Sequence, residues 1–112
     1  MGETVKLAIS TNDYKNLAQD SFGRSHFFLI YRYEGEDWVE EDTRENILFM
    51  QACELRGRAD HLHGLLNDVD YLIGHHFEAE VESQLSSLGH DLIRLPVLPV
   101  EQVFDDLELN GR

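Results

Sequence analysis

A chain of 112 residues is the size of one domain, and 42% hydrophobic with 10% aromatic content is enough for one buried core and too rich for a disordered segment. Twenty-two acidic residues outweigh nine basic ones for a formal charge of −13, a field that repels phosphate backbones and disfavours a nucleic-acid partner. No apolar run approaches a membrane span, the one cysteine, Cys53, excludes an intramolecular disulfide, and the first residues carry no signal-peptide pattern, so the expected location is the cytoplasm.

Residues 4–11 (TVKLAIST) alternate Val5, Leu7 and Ile9 with Lys6, Ala8 and Ser10, the period of a strand. Asn12 to Asn16 is polar and turn-prone, and Ser21-Phe22-Gly23-Arg24-Ser25 breaks the chain again. Residues 26–33 (HFFLIYRY) are β-rich and apolar enough for a central strand covered on both faces. Glu34-Gly35-Glu36-Asp37 reads as a hairpin turn, and residues 38–44 return as a third strand, polar and acidic enough for a sheet edge.

Residues 45–58 contain Ile47, Leu48, Phe49 and Met50 but show no clean period. A helix is expected over 58–67, with Ala59, Leu62, Leu65 and Leu66 on one face. A short buried strand follows at 69–74 (VDYLIG), then a helix at 78–88 with Val81, Leu85 and Leu88 as its stripe and Gly89 as its C-cap. Residues 90–95 form a fifth strand, and Pro99 starts a last helix with Val100, Val103, Phe104 and Leu107 inward. Three strands with hairpin-like connections, then helix, strand, helix, strand, helix, predict an α/β fold with a mixed five-stranded sheet. One domain spans 1–112, with its core at 4–108 and a tail from Leu109.

Two stretches, Lys6-Leu7-Ala8-Ile9-Ser10-Thr11-Asn12-Asp13 and Phe22-Gly23-Arg24-Ser25-His26-Phe27-Phe28-Leu29-Ile30, resemble the dinitrogenase iron–molybdenum cofactor-binding family. That family opens with a strand ending in a small-polar-Asp turn, then a His-Phe-Gly-Arg-type loop, then an apolar strand. Leu85-Ser86-Ser87-Leu88-Gly89-His90-Asp91-Leu92 resembles its helix end and final strand, so the likeness runs over nearly the whole chain. The resemblance implies a ribonuclease-H-like fold and the binding or transfer of iron–sulfur or iron–molybdenum cofactor precursors. Two positions depart from the pattern. Ser21 stands where the family often has a histidine that is a candidate cluster ligand. The loop after the fourth strand, usually rich in small residues, reads Gly74-His75-His76-Phe77-Glu78.

The candidate cofactor-binding residues are Ser21, Phe22, Gly23, Arg24, His75 and His76. Gly23 permits a positive φ and close backbone approach, and Arg24 could meet an anionic cluster or simply salt-bridge a local acid. His75 and His76 follow a strand and precede a helix, where open α/β sheets bind ligands, and imidazole suits zinc, iron or nickel. Adjacent histidines usually point apart, so an exposed loop pair is the plainer account. Cys53 joins His75 and His76 as a candidate metal ligand, against a role as a small buried hydrophobe. On the first helix Asp60 and His63 share a face while His61 and His63 do not, and a solvated face explains all three. His26 and His90 read as structural residues.

Residues 34–45 hold seven acids and one arginine, which a solvated edge hairpin explains. Asp13 lies where a ribonuclease-H-like nuclease carries a carboxylate, but no converging carboxylate set accompanies it, and no catalytic residue is assigned. The expectation is therefore a non-enzymatic carrier of an iron–sulfur or iron–molybdenum cofactor precursor or a metal ion. Its partners would be a metallocluster donor or acceptor protein, and it would be a monomer or small homo-oligomer. The alternative is an interaction module that kept the fold and lost the cofactor site; a metal-dependent nuclease comes last.

Overall fold

The computed structural model describes residues 5–34, 37–46 and 55–109, the side chains of 55–58 and 106–109 aside. Cys53, the run Ile47 to Met50, the Gly35-Glu36 turn and the end of the tail lie outside the described residues. The elements are β1 (Lys6–Thr11), β2 (Phe27–Glu34), β3 (Asp37–Glu45), α1 (Leu55–Leu65), β4 (Tyr71–Gly74), α2 (Ala79–Ser87), β5 (Asp91–Arg94) and α3 (Val100–Leu109). The strands form one mixed sheet in the order β3-β2-β1-β4-β5. β1 pairs antiparallel with β2 and β2 with β3, while β4 lies parallel to β1 and β5 parallel to β4. The expected α/β architecture is present, with β3 on an edge and β2 inside.

Alternation along the strands sends side chains to opposite faces, and both faces are covered. Ala8, Phe28, Ile30 and Leu72 meet Leu62 and Leu66 of the α1 region and Val81 and Leu85 of α2. Leu7, Ile9, Leu29 and Ile73 meet Leu17 and, from α3, Val100 and Val103. Each of these Val, Leu, Ile and Phe side chains stabilises the fold by about 1.5–3 kcal/mol on burial. The helix expected at 58–67 runs from Leu55 to Leu65, with Ala59 and Leu62 fully buried.

Leu88 does not continue the α2 stripe but is 44% exposed. The helix stops at Ser87, and Gly89 turns the chain at φ +102°, a conformation costly for other residues. Gly23 makes no use of its freedom: among the described residues Gly89 is the only glycine with positive φ, and Phe22–Arg24 is a single 3-10 turn.

The acidic edge is bound down by cations. Arg44 forks onto Asp68 at 2.7 and 3.0 Å and donates to the Leu65 carbonyl at 2.9 Å, tying β3 to the end of α1. Lys6 bridges Glu41 and Asp68, and Arg32 bridges Glu34 and Glu41. Among the described residues no helix is long and apolar enough to cross a membrane.

Candidate functional site

β1, β4 and β5 run parallel, so their carboxyl ends share one end of the sheet. Crevices at that end are where open α/β sheets hold ligands. The loop after β1 carries Ser21 to Arg24, and the loop after β4 carries His75 to Glu78. The two loops meet. The Phe22 N–H donates to the His76 carbonyl at 2.7 Å, and Ser21 and His76 form a parallel bridge. The Phe22 ring stacks on Phe77 at 5.0 Å and leans on Phe28 at 4.8 Å.

That apolar footing puts the Phe22 ring wholly in the core. Ser21 is buried too, and its hydroxyl oxygen has no hydrogen-bond partner among the described residues. Buried Gly23 offers its carbonyl to Asn46. The Asn46 amide, fully buried at the end of β3, donates to Gly23 O at 2.9 Å and Ser25 O at 2.8 Å, while its backbone N–H donates to His26 O. The turn is thus held by groups that are costly to unpair.

Arg24 points outward, its side chain 59% exposed, with Nε 3.7 Å from Glu78 Oε2 of the facing loop. His75 and His76 are both exposed. His75 Nδ1 lies 2.9 Å from the Leu95 carbonyl oxygen. A carbonyl only accepts, so Nδ1 carries the proton, and in the neutral ring Nε2 is the nitrogen with the free lone pair. Arg94, at the end of β5, sits 5.6 Å over the Phe77 ring and pairs with Glu82, whose carboxyl it holds below the usual range. The site thus presents one oriented imidazole, a second exposed imidazole and two guanidinium groups above a rigid aromatic floor.

Asp13 is occupied within its own turn. It accepts from the backbone N–H groups of Lys15 and Asn16, both at 2.9 Å, and these bonds draw its carboxyl down to about 2. Among the described residues no three His, Cys, Asp or Glu side chains converge as a metal site. His63 faces neither His61 nor the candidate site; its Nδ1 meets His90 Nε2 at 2.9 Å, beside the start of β5 at the opposite end of the sheet. Asn46, Arg94 and the Leu95 carbonyl were not legible as site residues in the sequence. Asn46 sits beside a run with no period, and a carbonyl leaves no mark in sequence.

The chain matches the sequence profile of the family described as dinitrogenase iron-molybdenum cofactor over residues 3–109. No curated protein gives a sequence match. Among solved structures, one crystal structure superposes with a TM-score of 0.73 at 17% identity, covering 96% of this chain and 93% of the other. A Thermotoga protein described as a candidate NifB protein gives 0.70 at 19% identity, over 95% of this chain and 89% of that one. A Methanocaldococcus jannaschii protein described as a candidate dinitrogenase gives 0.61 at 17% identity, over 96% and 88%. At these identities the structural likeness speaks for the fold.

Proposed function

The chain belongs to the dinitrogenase iron–molybdenum cofactor family, and from that premise we propose that it is a non-enzymatic, single-domain carrier. Its cargo is an iron–sulfur or iron–molybdenum cluster precursor, received from one protein and passed to another. The observation that carries the reading is the meeting of two loops at the carboxyl end of the parallel strands. The Phe22 N–H to His76 carbonyl bond joins them, which supports reading Arg24 and the two histidines, carried by these loops, as one rim.

The donor set fits such a cargo held at one atom and by charge. An imidazole with a bare nitrogen suits an iron atom, and guanidinium groups suit the anionic sulfur face of a cluster. Among the described residues no three His, Cys, Asp or Glu side chains converge to chelate a mononuclear ion. Ser21, Phe22 and Gly23 frame the site rather than contact the cargo, through the Asn46 anchor and the aromatic stack. Held by few bonds on an open rim, the cargo would leave as readily as a carrier requires. The ribonuclease-H-like relationship is part of the same reading, and it concerns the fold; the function rests on the site.

The test is anaerobic titration of the purified protein with an isolated iron–molybdenum cofactor and with a synthetic iron–sulfur cluster, followed by absorption and metal analysis. Stoichiometric uptake that falls in Arg24→Ala and disappears in the His75→Ala/His76→Ala double variant is expected. Absence of uptake by the folded wild type would overturn the carrier and leave an interaction module of the same fold.

A further inference from the structure

His75 and His76 are neighbours with different surroundings. The β4–β5 ladder ends where the Leu95 N–H donates to the Gly74 carbonyl at 3.0 Å. The Leu95 carbonyl is then the next acceptor in line, and His75 Nδ1 takes it at 2.9 Å. The imidazole thus stands in for the backbone N–H a longer strand would have supplied. Its ring is oriented, its tautomer is set, and its Nε2 lone pair is directed away from the bond. Metal-bound histidines show this arrangement, with Nδ1–H on a carbonyl fixing the ring and raising the basicity of Nε2. Among the described residues the His76 ring has no such anchor; that residue's structural tie is its carbonyl, which accepts from Phe22.

We infer that His75 alone is the ligating histidine of this rim, through Nε2, and that the Leu95 carbonyl is its positioning partner. The inference rests on the carrier reading for the identity of the cargo but not for the geometry of the ligand. His76 contributes to loop shape through its backbone, and its side chain is dispensable. The ligand in this chain therefore comes from the loop after β4, opposite the Ser21 position.

The experiment uses the full chain labelled with nitrogen-15 and reads the histidine ring nitrogens by NMR, first alone and then with substoichiometric Ni2+ as a paramagnetic probe. The free protein should show His75 with Nδ1 protonated and Nε2 bare, and Ni2+ should broaden His75 before any other imidazole. His75→Asn places an amide N–H where Nδ1 was, so it keeps the bond to Leu95 and removes the ligand atom. It should fold like the wild type and lose cluster uptake at least about tenfold, whereas His76→Ala should keep it. An Nε2–H tautomer at His75, or first broadening at His76 or elsewhere, would overturn the inference while leaving the carrier reading open to the uptake titration. Broadening at His75 with no cluster uptake would overturn the cargo and leave the ligand assignment standing.

Discussion

Gly74 and Phe22 lie so close that a Cβ on Gly74 would come within 3.0 Å of Phe22 Cδ1, and 3.2 Å from Phe77 Cζ. Both neighbours are buried rings locked in the stack beneath the candidate site, so neither can swing away. Gly74→Ala should therefore overpack the core and cost about 1–3 kcal/mol, read as a lower midpoint in urea unfolding. Because strain at this point pushes the two loops apart, the variant should also weaken cluster uptake by more than its stability loss explains. An unchanged midpoint would show that the stack relaxes freely.

Asn46 provides a second handle on the same loop. Its side-chain amide satisfies two buried carbonyls, at Gly23 and Ser25. Asn46→Ala leaves both acceptors unpaired in the interior, at a cost of about 1–3 kcal/mol. Hydrogen exchange gives the local reading. The Arg24 and Ser25 N–H groups, which close the 3-10 turn, should exchange faster than in wild type, while those of β1 stay protected. Equal acceleration throughout would mean that Asn46 supports the whole fold rather than the turn.

The period-two alternation at Val5–Ile9 and the helical stripes at Leu62–Leu66 and Val81–Leu85 placed the sheet and its layers correctly, because burial on both faces writes itself into spacing. Leu88 broke its stripe because the helix ends at Ser87, one residue earlier than expected, and Gly89 turns the chain away, a case where local backbone preference overrides periodicity. The two candidate loops were legible from their places after strands. Their contact was not, since the Phe22 N–H to His76 carbonyl bond joins backbone groups far apart in sequence. Phe22 looked like a loop residue but is core, because the turn at Ser21 folds it back under the sheet end.

Arg44 anchors the acidic hairpin to the rest of the molecule through the two bonds to Asp68 and the one to Leu65. Its guanidinium holds the Asp68 carboxyl well below the usual carboxylate range, with Lys6 adding to the effect. A lowered folded value means stability that is present above the ordinary carboxylate pKa near 4 and is lost as pH falls through the folded value. Arg44→Met should cost about 1–2 kcal/mol at neutral pH, after allowance for the partial exposure of the pair. The loss should shrink in acid, where Asp68 is neutral in both proteins. A loss independent of pH down to 2 would assign the effect to packing of the Arg44 stem.

The His63–His90 pair at the far end of the sheet should make stability fall in mild acid. His90 Nδ1 lies 2.9 Å from the Val69 carbonyl and must carry a proton, so His90 Nε2 is left as the acceptor and His63 Nδ1 as the donor. A second proton on His90 would set N–H against N–H in a buried site. Burial lowers the His90 pKa, and the neighbouring His63 lowers it further, while the Val69 bond and the nearby Asp70 and Asp91 oppose the shift. The folded chain thus binds fewer protons than the unfolded one, whose histidine titrates near 6.5. The stabilising contribution is complete above about that pH and declines as pH drops toward the folded value. Urea unfolding between pH 8 and 5 should show this decline in wild type, and His90→Gln, which places an uncharged amide near the Nε2 position, should flatten it. If the wild type and His90→Gln lose stability in parallel, the acid sensitivity lies elsewhere and the pair is no more than a hydrogen bond.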